Sequence, residues 1–312
     1  MTSPAIFPAR TSADRLTGLF WRRPGLLLFL LLLPPLLWLG IIYLGSLAAL
    51  LLQSFYSIDE FSGMVREELT LKTYAELFRP QNLDILLRTV LMAAAVTLAC
   101  AFIAFPVAFY AARFACGPWK AVFYLGVMLP LWSSYLVKVY AWKLILAKEG
   151  ILSWAAGASG TSFVIDGLLS MPVIGSSSLS TSPLGTFMVF VYVWLPYMIL
   201  PMQAALERVP ASLLEASADL GATQSQTLRR VILPLALPGV IAGSIFTFSL
   251  TLGDYIIPQI VGNSANFIGM AVYQLQGTAG NIPLAAAFAV VPILIMLVYL
   301  GLAKKAGAFD AL

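Results

Sequence analysis

The stretch "EASADLGATQSQTLRRVILP", residues 215–234, stands out from the rest of this sequence. The chain is 60% hydrophobic with a mean hydropathy of +0.91, yet residues 207–237 are mostly polar, small or helix-forming. Pro210 suits a first helical position, Gly221 permits a sharp turn, and Thr223 with Gln226 has the spacing of a capping box. The stretch therefore predicts two short helices joined by a turn.

The surrounding composition is that of a membrane protein. Only 10% of the residues are charged, against about a quarter in soluble domains. Residues 25–52 carry no charge and can cross a hydrocarbon core of about 30 Å as one helix. Comparable apolar segments follow at 85–112, 119–146, 184–206, 238–261 and 283–303. We therefore predict an all-α polytopic membrane protein with six transmembrane helices and with the hairpin outside the membrane.

The distribution of lysine and arginine orients the predicted helices. The N-terminal tail, residues 113–120, residues 207–237 and the C-terminal tail hold 11 of the 18 basic residues, and the richer face is cytoplasmic by the positive-inside rule. The predicted order is a cytoplasmic tail (1–24), a first transmembrane helix (25–52), an external loop (53–84), a five-helix core (85–303) containing the cytoplasmic hairpin (207–237), and a cytoplasmic tail (304–312). The external loop carries six acids: Asp59, Glu60, Glu67, Glu68, Glu76 and Asp84.

Several chemistries lack their usual residues. The sequence has no histidine, and its two cysteines are Cys100, within a span, and Cys116, in a predicted cytoplasmic turn where thiols stay reduced. It also lacks G-x-S-x-G, H-E-x-x-H and the P-loop pattern G-x-x-x-x-G-K-[ST]. We therefore expect neither an enzyme nor a cofactor or metal in this chain, and any ATP energy must come from a partner.

The hairpin has two interpretations on its residues alone. Its small residues allow close backbone approach and its leucines supply apolar contacts, which suits docking into a groove on another protein. Alternatively, the hairpin is amphipathic and lies on its own helix bundle or on lipid headgroups. Both interpretations remain open at this point.

The stretch resembles the signature of permease subunits of binding-protein-dependent ABC importers: E-A-A, three residues, Gly, nine residues, then I-x-L-P. The matching residues are Glu215, Ala216, Ser217, Gly221, Val231, Leu233 and Pro234, with Ser replacing the second Ala and Val replacing Ile. In that family the hairpin is the coupling helix that fits a cleft in an ATPase subunit, so the resemblance also assigns the intervening Asp219, Leu220 and Ala222 to the contact.

The resemblance implies more about fold and partners. It implies a type I importer permease in the bacterial inner membrane, with both termini cytoplasmic. The implied partners are two cytoplasmic ATPase subunits that bind ATP and Mg, a second, different permease, an external solute-binding protein, and lipid, with no nucleic acid.

Two further stretches resemble polyamine importer permeases of the spermidine and putrescine class. They are "LPLWSSYLVKVYAWKLILAKEGIL", residues 129–152, and "LGDYIIPQIVGN", residues 252–263. Permeases for other small solutes share parts of both stretches, so another solute remains an alternative, and an ion-coupled secondary transporter is a more distant one.

Asp254 is the acid predicted to lie deepest in a span, where a lone carboxylate normally faces a cavity or a partner. A cationic amine would find a counter-charge there and cation–π faces on nearby aromatic rings, Trp194 among them. Alternatively, Asp254 pairs with Lys138, and the aromatic rings form interfacial belts. The predicted translocation path comprises Trp132, Tyr135, Lys138, Tyr197, Asp254 and Tyr255.

The predicted orientation can be tested by cysteine labelling in a background without Cys100 and Cys116. A cysteine at Ser225 should be shielded from an impermeant external thiol reagent, because it lies on the cytoplasmic face. A cysteine at Ser176 should react in cells whose outer barrier is permeable. The reverse labelling pattern would overturn the topology.

Overall fold

The computed structural model describes residues 24–59, 61–172, 176–262 and 267–305 of the chain. It divides into two units, residues 1–53 and residues 54–312. Nearly all regular structure is helical, so the predicted all-α class is confirmed. Most of the predicted cytoplasmic tails, as well as Glu60 of the acidic loop, lies outside the described residues.

The first unit is one transmembrane segment. Helix α1 (Pro24–Leu37) continues through a π-helical segment (Trp38–Leu44) into α2 (Gly45–Gln53). Pro34 and Pro35 lie in α1 and have no N–H for helical hydrogen bonds. Residues 27–53 are nevertheless apolar and long enough to span a bilayer.

The second unit begins with a small loop, which is the loop predicted to be external. Strands β1 (Ser57–Ile58) and β2 (Val65–Arg66) pair antiparallel, and helix α3 (Lys72–Leu77) follows. The Asp59 carboxylate accepts hydrogen bonds from the Phe61 and Ser62 N–H groups and pairs with Arg66 at 2.7 Å. These backbone donors, with Arg66, hold the pKa of Asp59 below its usual value.

The rest of the second unit is a helical bundle. Its helices are α4 (Pro80–Arg113), α5 (Pro118–Trp132), α6 (Tyr135–Ile145), α7 (Ile151–Ala158), α8 (Ser162–Leu169), α9 (Pro183–Glu207), α10 (Ala211–Asp219), α11 (Gln224–Thr227), α12 (Leu233–Gly253), α13 (Ile256–Ile260), α14 (Ile268–Gly277) and α15 (Ile282–Lys305). A 3₁₀ turn (Leu179–Thr181) precedes α9, and a π-helical segment (Leu228–Ile232) joins α11 to α12. Within the described residues, five helices could span a membrane, or six if α5 and α6 form one span.

The third span is not the single helix predicted over 119–146. Helices α5 and α6 meet at an angle of 96° across Ser133, whose backbone is extended, and Ser134. Pro130 lies in the last turn of α5, and its own carbonyl accepts hydrogen bonds from Ser133 Oγ at 2.9 Å and Lys138 Nζ at 2.8 Å. The bend therefore keeps this carbonyl satisfied, as a break inside lipid requires.

The fifth span also differs from its predicted bounds of 238–261. The helical segment begins at Gln224 and ends at Gly253, and Asp254 has an extended backbone. The Ile257 N–H donates to Asp254 Oδ1 at 3.0 Å, so the carboxylate caps the start of α13. Asp254 therefore lies at a helix break and not inside a helix as predicted.

The core lies where α9 packs against α4 and α12. Helix α9 contributes the fully buried Phe190, Met198, Met202 and Leu206. Helix α12 approaches α9 through Gly239 and Gly243, and a β-carbon on Gly239 would lie 2.5 Å from Ala205 Cβ and 2.6 Å from the Pro201 carbonyl oxygen. This is the close helix contact that small residues permit in membranes.

The contact of α12 with α9 predicts that one added methyl group lowers stability at Gly239 but not at an uncrowded glycine. Gly239→Ala should destabilise the protein by about 1–3 kcal/mol, because the added β-carbon forces α9 and α12 apart. Gly301→Ala in α15 is the control, since a β-carbon there meets no atom within 4 Å. Melting temperatures in detergent measure both. Equal melting temperatures for the two variants would contradict the proposed packing.

Candidate functional site

The hairpin consists of α10, a tight turn and the helical segment that leads into α12. Gly221 has a φ of +73°, a conformation that glycine adopts without strain. Thr223 and Gln226 form the predicted capping box. The second arm is not a separate short helix, because α11 passes through the π-helical segment into α12 without a break. Pro234, which cannot donate a helical hydrogen bond, lies just after this π segment.

The two faces of the hairpin differ in exposure. Leu214 and Leu228 pack against the core, and the buried Ser217 Oγ lies 2.8 Å from Thr227 Oγ1, which joins the two arms. The opposite face leaves exposed Glu215, Ala216, Asp219, Leu220 and Gly221. Leu220 is 88% exposed. Of the other residues assigned to the permease signature, Ala222 and Val231 are half-buried, and Leu233 and Pro234 are exposed.

The start of the hairpin is tied to α4. Arg113 Nη2, at the end of α4, donates to the Val209 carbonyl oxygen at 3.0 Å. The hairpin is therefore held at its base by a long helix that crosses the bundle.

A cleft of about 360 Å³ surrounds the helix break at Asp254. Its lining residues are Tyr135, Trp194, Ser249, Leu250, Gly253, Asp254, Tyr255 and Ile256. The Tyr135 hydroxyl donates to Asp254 Oδ2, which joins α6 to the end of α12. Among the described residues, no lysine or arginine forms an ion pair with Asp254.

The alternative pairing of Asp254 with Lys138 is wrong in this structure. Lys138 Nζ instead donates to the Pro130 carbonyl oxygen across the bend between α5 and α6. Lys138 takes this partner because the bend frees the Pro130 carbonyl oxygen from helical hydrogen bonding. A cation near the C-terminal end of a helix stabilises such a carbonyl.

Some of the aromatic rings predicted for the path line the cleft and others lie outside it. Tyr135 stacks on Trp194 with centroids 5.9 Å apart, and both of these rings line the cleft. Tyr255 also lines the cleft, and it stacks at 5.0 Å on Tyr273, which lies outside the lining. Tyr197 contacts Trp194 edge-on from outside the lining.

Three predicted path residues are absent from the cleft lining: Trp132, Lys138 and Tyr197. Conversely, the lining includes Ser249 and Gly253, which are not among the predicted path residues. These two lie one turn apart on α12, so helical spacing from the break could have indicated them.

Helix α14 fixes the backbone beside the cleft. A β-carbon on Gly269 would lie 2.7 Å from the Gly253 carbonyl oxygen and 2.8 Å from that of Asp254. The helix break is therefore packed against a second helix and is not a loose turn.

Comparison with known proteins agrees with this architecture. The family model "Binding-protein-dependent transport system inner membrane component" matches residues 101–305. The chain belongs to this family. It is an inner-membrane ABC importer permease of several spans, a transport component rather than an enzyme.

Two curated relatives are similar to this permease in sequence. The inner membrane ABC transporter permease protein YdcU of Escherichia coli is 57% identical over 98% of this chain and 97% of its own length. The spermidine/putrescine transport system permease protein PotB of Escherichia coli is 29% identical over 72% of this chain and 76% of its own length.

One solved structure is similar in fold. A chain from the crystal structure of a bacterial ABC transporter that imports the acidic polysaccharide alginate matches with a TM-score of 0.70 and 17% identity. The match covers 93% of this permease and 99% of that chain. It supports the type I permease fold.

The hydrogen bonds of Lys138 and Asp254 predict that the two residues act independently. Lys138→Met should lower stability by about 1–3 kcal/mol, because the Pro130 carbonyl oxygen loses a charge-assisted hydrogen bond. Asp254→Asn should add its own effect to within about 0.5 kcal/mol in the double variant. Melting temperatures of the two single variants and the double variant measure this. Restoration of the Asp254→Asn melting temperature by Lys138→Met would show that the two side chains pair.

Proposed function

We propose that this permease forms half of an ATP-driven import pathway for a small polyamine, of the spermidine and putrescine class. The observation that carries the proposal is the Asp254 carboxylate, which has no ion-pair partner among the described residues and lies in a cleft with aromatic walls. The name of the relative PotB supports the same class of solute.

The cleft offers two kinds of attraction to an ammonium group. Asp254 supplies a negative charge, and Tyr135, Trp194 and Tyr255 supply aromatic surface in the same lining. Cation–π contacts contribute about 0.5–2 kcal/mol each, with the larger values in desolvated sites. The Tyr135 hydroxyl that bonds to Asp254 is a neutral donor, which an ammonium group can replace with a stronger, charge-assisted hydrogen bond.

Coupling to ATP is assigned to the hairpin. Glu215, Asp219 and Leu220 are exposed on one face of it, while its other face packs on the bundle. An exposed apolar and acidic helical surface suits docking into a groove of another protein. We propose that two cytoplasmic ATPase subunits, which bind ATP and Mg, dock there, on this permease and on a second one. With six spans, both termini lie on the same side of the membrane as the hairpin, and we therefore propose that both are cytoplasmic.

The external face is the proposed docking site of a solute-binding protein. Of the acids predicted for this face, Asp59, Glu76 and Asp84 pair with Arg66, Arg79 and Arg88. Glu67 and Glu68 are exposed, and no ion pair involves either of them among the described residues. We propose that these two acids contact the binding protein.

The first test of the solute concerns Asp254. Asp254→Asn should lower putrescine uptake about tenfold, which corresponds to a loss of about 1.4 kcal/mol of attraction. Uptake into vesicles that contain the complete importer measures it, with Asp166→Asn, an exposed acid on α8, as the matched control. Unchanged uptake in Asp254→Asn would show that Asp254 is not part of a cation site.

The hairpin generates a separate prediction. Gly221→Pro should uncouple transport because proline cannot adopt the positive φ of this turn, and Glu215→Lys should do so because it reverses an exposed charge. Gly221→Asn is the control, since asparagine tolerates this conformation better than other residues. Uptake and co-purification with the ATPase are measured together. Full uptake and normal ATPase association in both Gly221→Pro and Glu215→Lys would rule out the hairpin as the docking element.

A further inference from the structure

Glu207 is the last residue of α9, at the point where the chain enters the hairpin. One oxygen of its carboxylate, Oε1, faces three donors from two helices. Lys120 Nζ lies at 2.9 Å, the Tyr124 hydroxyl at 3.0 Å and Gln203 Nε2 at 3.3 Å. Lys120 and Tyr124 are one turn apart on α5, so Glu207 joins α5 to the end of α9.

This cluster contributes little to stability, but its position links α5 to the base of the hairpin. The side chains of Lys120 and Glu207 are 39% and 30% exposed, and half-exposed ion pairs contribute little to the free energy of folding. Three donors on one carboxylate oxygen nevertheless define the distance between α5 and the base of the hairpin.

Helix α5 continues from this cluster to the bend that precedes α6. It ends at the 96° bend, where Lys138 and Ser133 bond to the Pro130 carbonyl oxygen. Beyond the bend, α6 begins at Tyr135, whose hydroxyl bonds to Asp254.

Helix α12 gives a second route from the hairpin to the same point. The helical segment that starts at Gln224, just after the hairpin turn, runs to Gly253, directly before Asp254. The two routes from the hairpin therefore meet at the hydrogen bond between Tyr135 and Asp254.

We propose that Glu207 is a positioning residue for transport, which holds α5 to the base of the hairpin so that hairpin movement changes the distance between Tyr135 and Asp254. This inference rests on the proposed coupling role of the hairpin. Without the contact of Glu207 with Lys120, α12 still moves with the hairpin but α5 does not follow. ATP hydrolysis then continues while the cleft opens less.

The first experiment measures coupling in vesicles that contain the complete importer. Glu207→Gln keeps the size and an acceptor for Tyr124 but loses the charge attraction to Lys120, and Lys120→Met removes the cation. Each should lower the putrescine transported per ATP hydrolysed by about two- to fivefold, the range for one half-exposed ion pair. The exchanged pair, Glu207→Lys with Lys120→Glu, should restore the ratio. Glu149→Gln, an exposed acid elsewhere, should leave it unchanged.

A second experiment needs no solute. In a background without Cys100 and Cys116, Ser249→Cys places a thiol in the cleft lining. A non-hydrolysable ATP analogue should change the labelling rate of this thiol in the complex, and Glu207→Gln should reduce that change, with the exchanged pair restoring it. A merely structural role for Glu207 would lower the melting temperature without altering the response to ATP.

The outcomes separate this inference from the proposed function. If the ATPase does not co-purify with the unaltered permease, the proposed coupling role fails. If the ATPase binds, an unchanged ATP response of Ser249→Cys in Glu207→Gln overturns the role of Glu207. The role of Glu207 is also overturned if the labelling of Ser249→Cys does not respond to ATP in a permease that keeps Glu207.

Discussion

The close contact between α9 and α12 fixes the position of both arms of the hairpin. Gly239 and Gly243 bring the backbone of α12 against Met198, Pro201 and Ala205 of α9 without room for a β-carbon. Helix α9 leads into the hairpin and α12 leads out of it. The two ends of the hairpin are therefore held by one tightly packed helix pair, and the exposed face around Leu220 is presented at a defined place.

Polar side chains within the spans form hydrogen bonds with the backbone groups that are freed where helices break. In hydrocarbon, each backbone group freed at a break needs a partner within the protein. Lys138 and Ser133 satisfy the Pro130 carbonyl oxygen at the bend, and Asp254 accepts the Ile257 N–H at the end of α12. Asp254 has a second oxygen directed to Tyr135, so the same residue that caps a helix also gives the cleft its charge.

The sequence predicts local features of this fold well and long-range ones poorly. Apolar runs are sufficient for the all-α class, and Gly221 with the capping box at Thr223 is sufficient for the turn of the hairpin, because these signals depend on neighbours in sequence. The bend at Ser133 and Ser134 lies within a run that is apolar on both sides, so hydropathy does not reveal it. The partners of Lys138 and Asp254 depend on how helices distant in sequence pack, and this information is missing from a single sequence.

We propose that energy from a separate ATPase moves a cation through this permease. The decisive measurement is solute accumulation in vesicles that hold the permease, its partner permease, the co-purifying ATPase and the solute-binding protein, with no ion gradient imposed. Putrescine should accumulate when ATP is supplied on the hairpin side, and the ATPase should be required. Accumulation driven by a proton or sodium gradient in the absence of the ATPase would contradict it.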